Sequence, residues 1–114
     1  EVSVHPDPRD PAAGDPGAPL PTLDTPGVAA NTLDNVAVIP FNDVAAAERM
    51  FAERGPEIAA VIVEPVMGAG GMIPARGEFL ETLRALTVEH GALLVFDEVM
   101  SFRLMPGGMQ QHVR

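Results

Sequence analysis

Ile58-Ala-Ala-Val-Ile-Val-Glu64-Pro65 and Ala92-Leu-Leu-Val-Phe96-Asp97-Glu98-Val99 are the two stretches that decide the fold of this 114-residue chain. Each contains an apolar run that is too short for a buried helix, so each predicts a buried β-strand. Between them lie a glycine loop, Gly68-Ala-Gly-Gly71, and an amphipathic stretch from Glu78 to His90, which predicts a helix that ends before Gly91. This order predicts a parallel βαβ unit of an α/β fold.

Both predicted strands end in an acid, Glu64 in the first and Asp97 in the second. Parallel strands present their carboxyl ends at one sheet edge, where α/β sheets bind ligands, so we expect the functional site there. A carboxylate at the end of a buried strand needs a cation or several N–H donors. Asp97 therefore either faces a positively charged group, such as a protonated cofactor nitrogen or a metal, or only caps the turn that follows it. The role of Glu64 stays open between ligand contact and a structural hydrogen bond.

A further strand and helix are predicted before this unit. The β-branched run Asn35-Val-Ala-Val-Ile39 predicts a strand, and Asn42 is the expected N-cap of a helix that ends at Gly55-Pro56. In the helix from Glu78 to His90, we expect an apolar face built from Phe79, Leu80, Leu83, Leu86 and Val88.

Several polar and glycine residues have both a functional and a structural interpretation. The glycines at 68–71 either let a backbone approach a ligand or form a tight turn, and the turn is slightly favoured. Arg103 either binds an anionic substrate group or forms an internal ion pair, and the ion pair is favoured. His90 lies in the last turn of its helix, so we expect it to interact with the helix end rather than to act in catalysis.

Composition divides the chain and excludes several functions. Residues 6–26 hold seven of the twelve prolines, so we expect residues 1–30 to be irregular or disordered and residues 31–114 to be the folded part. A net charge of −9 argues against binding to nucleic acid or to anionic membranes. The absence of cysteine fits a reducing cytoplasm, and no apolar run is long enough to span a membrane. All seven basic residues are arginines, so the chain has no lysine.

Four motifs in a fixed order carry a family resemblance: Val63-Glu-Pro-Val-Met-Gly68, Gly77-Glu-Phe-Leu80, Gly91-Ala-Leu-Leu-Val-Phe-Asp-Glu-Val-Met100 and Pro106-Gly-Gly-Met-Gln110. With them the chain resembles the class III pyridoxal-phosphate (PLP)-dependent aminotransferases, in particular the glutamate-1-semialdehyde 2,1-aminomutase-like members. The resemblance covers about residues 27–110. It implies part of the three-layer α/β/α large domain of PLP fold type I.

The resemblance also implies roles for individual residues. Asp97 would bond the pyridine nitrogen of PLP and keep it protonated, and Val99 would pack against one face of the ring. The loop at 68–71 would lie beside the hydroxyl edge of the ring. Intact members of the family act on amino-acid or amino-aldehyde substrates and form homodimers. The family uses a Schiff-base lysine, which this chain lacks, so we expect a fragment with no catalytic residue of its own and no activity alone. We also expect no metal ligand.

Two departures from the family pattern leave the reaction open. Ala69 stands where aminomutase relatives often carry a polar residue, and Met100–Arg103 is one residue shorter than the commonest form. The substrate, and the choice between aminomutase and transaminase, are therefore not predicted.

Two other hypotheses remain. Leu93–Glu98 also matches the Walker B pattern of P-loop ATPases, although the partner loop of that site needs a lysine. Alternatively, the chain is a non-enzymatic remnant that packs onto a partner or does not fold stably.

Overall fold

The computed structural model of the chain describes residues 14–23 and 27–111, which fall into two compact units divided between Pro40 and Phe41. In the first unit, β1 (Gly14–Asp15) and β2 (Ala18–Pro19) form a short antiparallel hairpin. Residues 6–13 and 24–26 of the proline-rich segment lie outside the described residues.

The prediction of a strand at residues 35–39 is wrong. A 3₁₀-helix occupies Ala30–Asn35, and the backbone is extended at Val36, with φ −122° and ψ 130°. Extended β-branched residues become a strand only when a neighbouring strand accepts and donates their hydrogen bonds. No strand within the described parts of the chain pairs with this segment.

The second unit contains the elements that carry the site. Its regular elements are, in chain order, α1 (Val44–Arg54), a 3₁₀ turn (Gly55–Glu57), β3 (Ala60–Val63), β4 (Val66–Met67), β5 (Ile73–Pro74), α2 (Gly77–His90), β6 (Leu93–Phe96) and 3₁₀ turns at Phe102–Leu104 and Met109–Gln111. In the part of the chain that the structure describes, neither α-helix is long and apolar enough to cross a membrane.

β3 and β6 pair in parallel, which confirms the predicted βαβ unit. The register aligns Ala60 with Leu93 and Val63 with Phe96. The Asp97 N–H donates to the Val63 carbonyl at 2.9 Å, which continues the hydrogen-bond ladder past the last strand residue. The two strands therefore end level with each other.

α2 packs on both strands and on α1, and it supplies the centre of the core. Phe79, Leu80 and Leu83 are buried, and the Phe79 ring meets Phe41 edge to face at 5.8 Å. The prediction that Val88 belongs to this face is wrong, because Val88 is 69% exposed while Thr87 is fully buried. Thr87 tolerates burial because its hydroxyl donates to the Leu83 carbonyl at 2.8 Å.

The β3–β6 sheet is covered on one face only. Its side chains alternate, and Ile62, Leu93 and Val95 are 72%, 68% and 42% exposed, while Val63 is buried. The sequence predicts strands buried on both faces, so this expectation is wrong for the described residues. They form a helical layer and a sheet layer of the three-layer α/β/α arrangement.

The prediction that Asn42 is the N-cap of α1 is wrong, because Asp43 occupies that position. The Asp43 carboxylate accepts from the Ala46 N–H at 2.9 Å. Asn42 has a positive φ of 63°, so it lies outside the helical conformation. Its amide instead accepts from the Arg76 N–H at 2.8 Å and donates to the Pro74 carbonyl at 3.1 Å, and so fixes the start of α2.

Candidate functional site

The carboxyl edge of the β3–β6 sheet brings the two predicted acids to the same level. Glu64 directly follows Val63, and Asp97 directly follows Phe96, the residue paired with Val63. The parallel register therefore produces the arrangement that the sequence predicts. The two side chains then make different contacts.

Asp97 keeps part of its carboxylate available. Its Oδ1 accepts from the Val99 N–H at 3.1 Å, so it does cap the turn that follows the strand. Its Oδ2 has no hydrogen-bond partner among residues 14–23 and 27–111. Val99 is 86% exposed. The sheet edge therefore presents the Oδ2 atom of Asp97, which is free among the described residues, and, two residues later, the exposed apolar side chain of Val99.

Glu64 holds the start of the glycine loop. Its Oε2 accepts from the Gly68 N–H at 2.9 Å, which supports the structural interpretation of this acid. The loop connects β4 and β5, which pair as an antiparallel hairpin. Gly71 donates to the Gly68 carbonyl at 3.2 Å and has a φ of 108°, so the turn requires glycine at this position.

Two methionines pack against the glycine loop. A Cβ at Gly68 would lie 2.8 Å from the Met100 side chain, and a Cβ at Gly70 would overlap the sulfur of Met67. These glycines therefore accommodate neighbouring side chains as well as the turn. The two methionines fill gaps at the sheet edge, which is a usual role for this residue.

Glu98 is the functional candidate that sequence reasoning did not identify. Its carboxylate accepts three hydrogen bonds, from the Ser101 hydroxyl at 3.1 Å, the Met109 N–H at 2.7 Å and the Gln110 N–H at 3.2 Å. The signal in the sequence is the glycine pair at 107–108, since two adjacent glycines free the backbone to turn its N–H groups toward an anion.

The remaining candidates are peripheral. His90 packs at 5.1 Å from the Phe51 ring, and its Nδ1 lies 3.1 Å from the Leu86 carbonyl, which agrees with a structural role. Arg103 is exposed and forms no ion pair with any residue that the structure describes, so the favoured internal pairing is not found. Within the described ranges, no group of three acidic or histidine side chains is placed to share a metal ion.

A cleft of about 440 Å³ lies between α2 and β6. Leu80, Arg84, Phe96 and Glu98 are among its lining residues, but Asp97 and Val99 are not. The cleft therefore does not include the predicted cofactor contacts, although Glu98, the residue between them, lines it.

Comparison with known proteins identifies the family. The sequence profile described as Aminotransferase class-III matches residues 22–102. Glutamate-1-semialdehyde 2,1-aminomutase from Nitratidesulfovibrio vulgaris (strain DP4) is 47% identical over 108 residues, which cover 94% of this chain and 26% of that protein.

Solved structures agree with the sequence match. An ω-transaminase from Sphaerobacter thermophilus superposes with a TM-score of 0.81 and 41% identity, over 88% of this chain and 23% of that one. A transaminase solved with PLP bound gives a TM-score of 0.75 and 30% identity, over 87% of this chain and 24% of that one. The chain thus spans about a quarter of the length of each of these three proteins. Nothing in these comparisons favours the Walker B interpretation of Leu93–Glu98. The chain belongs to the class III aminotransferase family, and its parallel β3–β6 unit is part of a PLP fold type I α/β domain.

Proposed function

We propose that this chain supplies the pyridine-binding edge of a PLP-dependent site for amino-group transfer, in an aminotransferase or an aminomutase. The observation that carries the proposal is the placement of Asp97, directly after β6, with Oδ1 fixed by the Val99 N–H at 3.1 Å and Oδ2 without a partner in the described part of the chain. The PLP-bound transaminase that resembles this chain supports the choice of cofactor.

The Asp97 carboxylate and the Val99 side chain suit a protonated aromatic ring. A carboxylate favours the charged form of a nitrogen base beside it, so Asp97 would hold a proton on the ring nitrogen. Val99, which is 86% exposed, would cover one ring face and exclude water from it. The cofactor itself supplies the electron-withdrawing ring that amino transfer requires.

The other residues of the edge have supporting roles in this proposal. Glu64 holds Gly68 and hence the loop beside the ring, through its 2.9 Å hydrogen bond. The chain has no lysine, so it offers no side-chain amine to bond the cofactor covalently. We therefore expect these 114 residues to bind the ring without catalysing transfer.

Ligand titration tests the proposal. We would titrate the chain with pyridoxamine 5′-phosphate labelled with ¹⁵N in the ring, because this form has no aldehyde that could react with the N-terminal amine. Binding should shift the Asp97 and Val99 amide signals and move the ring ¹⁵N signal toward its protonated position. Asp97→Asn should weaken binding by about tenfold or more, since hydrogen bonds between charged groups are the strong ones.

Asp34→Asn is the matched control, because Asp34 is exposed and the substitution removes the same charge. It should leave the affinity unchanged. Equal binding by Asp97→Asn and the unaltered chain would overturn the proposal.

Reaction type, substrate, assembly and location are further parts of the proposal. We propose an amino-acid or amino-aldehyde substrate, a homodimer for the complete protein and a cytoplasmic location. The 47% identity to an aminomutase and the TM-score of 0.81 to an ω-transaminase support both reaction types. Assaying an enzyme that contains these residues with an amino-aldehyde, with and without a separate keto-acid acceptor, distinguishes the two reactions, because an aminomutase moves the amino group within one molecule and a transaminase needs the acceptor.

A second candidate is the remnant that packs onto a partner. The exposed apolar face at Ile62, Leu93 and Val95 favours it, because monomeric proteins rarely leave such side chains grouped in the open. Concentration-dependent sedimentation of the purified chain distinguishes it from an independent monomer.

A further inference from the structure

The segment after Asp97 is tied to the sheet edge through one side chain. Glu98 accepts from the Ser101 hydroxyl and the Met109 N–H with Oε2, at 3.1 and 2.7 Å, and from the Gln110 N–H with Oε1, at 3.2 Å. Both oxygens are therefore occupied. This contact spans eleven residues, so it fixes a loop that the strand alone would not reach.

The loop is shaped to receive this carboxylate. Gly107 and Gly108 both have positive φ, 85° and 72°, and this turns the next two N–H groups inward as an anion-binding nest. Gly108 is buried, and a Cβ on it would overlap the Glu98 carboxylate. Ser101 is fully buried as well, so its hydroxyl contact is shielded from water.

Glu98 sits between the two residues of the proposed cofactor edge. Asp97 precedes it, and Val99 follows it with its N–H bonded to the Asp97 carboxylate. The Glu98 carbonyl also accepts from the Phe102 N–H at 2.9 Å, which closes the turn. Movement of Glu98 therefore moves both neighbours, because they share one turn of backbone.

We propose that Glu98 is a positioning residue, whose carboxylate, held in the nest of residues 107–110, sets the orientation of Asp97 and Val99 toward a protonated pyridine ring. The part of this inference that concerns the ring rests on the proposed function. The part that concerns the nest does not.

NMR of the intact 114-residue chain tests the nest first. Glu98→Gln should lower the hydrogen-exchange protection of the Met109 and Gln110 amides by about tenfold or more, the scale of a hydrogen bond to a charged group. It should also shift the Asp97 and Val99 amide signals. Glu48→Gln, on an exposed position of α1, removes the same charge and should change none of these signals.

A glycine pair supplies a second, independent test. Gly108→Ala leaves Glu98 intact but places a methyl group where its carboxylate lies, so it should reproduce the Glu98→Gln result. Gly107→Ala has the same positive-φ strain, yet its Cβ meets the flexible Gln111 side chain and not the Glu98 carboxylate, so it should shift the Asp97 and Val99 signals less than Gly108→Ala does.

The ring readout completes the test. With ¹⁵N-labelled pyridoxamine 5′-phosphate, Glu98→Gln should weaken binding on the order of tenfold, as loss of a partner behind a binding group does. It should also move the bound ring ¹⁵N signal away from the protonated position. Glu98→Asp, which keeps the charge, should recover part of both effects.

Three outcomes would overturn the inference. Unchanged protection of Met109 and Gln110 in Glu98→Gln would remove the nest. Unchanged Asp97 and Val99 signals, despite lost protection, would leave Glu98 as a loop anchor only. Unfolding of both Glu98→Gln and Gly108→Ala, with Gly107→Ala folded, would assign Glu98 to global stability. If the unaltered chain does not bind pyridoxamine 5′-phosphate, the proposed function is wrong. The exchange protection of the Met109 and Gln110 amides still tests the nest in that case.

Discussion

Glu64 closes the glycine loop with a single hydrogen bond, from the half-buried Gly68 N–H at 2.9 Å. Glu64→Ala removes the acceptor and leaves this donor without a partner. We expect the free energy of unfolding to fall by about 1.5 kcal/mol, measured by urea denaturation, with faster hydrogen exchange at Gly68. Glu48→Ala, the same truncation at an exposed position, should change stability by about 0.5 kcal/mol or less. Equal unfolding midpoints for the two variants would contradict the role assigned to Glu64.

At the residue scale, the sequence predicted which acids reach the sheet edge but not what they bind. Asp97 and Glu64 follow from the ends of two apolar runs. The partners of Glu64 and Glu98 are backbone N–H groups of later loops, and every non-proline residue carries such a group. Nothing in the side-chain pattern therefore distinguishes the N–H groups of Gly68 or Met109 until the fold brings them to a carboxylate.

The end of α2 gives a test at the scale of an element. Gly91 has a φ of 70° and caps the helix, while Gly77 lies at the helix start, and a Cβ at either would meet no atom within 4 Å. Gly91→Ala should therefore lower the free energy of unfolding by about 1 kcal/mol through backbone strain alone. Gly77→Ala should be neutral or stabilising, since alanine favours the helix. Thermal unfolding followed by circular dichroism checks both, and similar losses would show that strain is not the cause.

Elements with strong periodicity were predicted well, and elements defined by a partner were not. α1, α2, β3 and β6 come from patterns of four or more residues and lie within two residues of their expected ends. The β4–β5 hairpin has two residues in each strand, too few to form a pattern. The segment 35–39 has strand composition, but strand pairing depends on a neighbour that composition does not supply.

The whole molecule presents an apolar sheet face that predicts self-association. Ile62 and Val95 are paired across β3 and β6 and are 72% and 42% exposed. The double variant Ile62→Thr/Val95→Thr keeps β-branched side chains but makes the face polar, so it should sediment as a monomer where the unaltered chain associates. Val88→Thr, at a 69% exposed position on α2, is the control and should associate like the unaltered chain. If the unaltered chain stays monomeric at high concentration, the prediction is wrong.

This face also shows where sequence reasoning stops at the largest scale. A continuous apolar strand predicts burial on both faces, as in parallel sheets generally. The described residues cover only the face of the sheet that packs on α2, and Ile62 and Leu93 lie on the opposite, uncovered face. The apolar pattern predicts that both faces of the strand are covered, but it does not show which residues cover the second face.

The parallel pairing of β3 with β6 has a consequence for how the chain folds during synthesis. Ala60 pairs with Leu93, so the ladder joins residues 33 positions apart and cannot begin until α2 and β6 have both been made. At about 5–20 residues per second, β3 waits about 2 to 7 s for its partner. During that interval both faces and both edges of an Ala-Val-Ile-Val strand are open. This delay is therefore the stage of synthesis at which misassembly is most favoured.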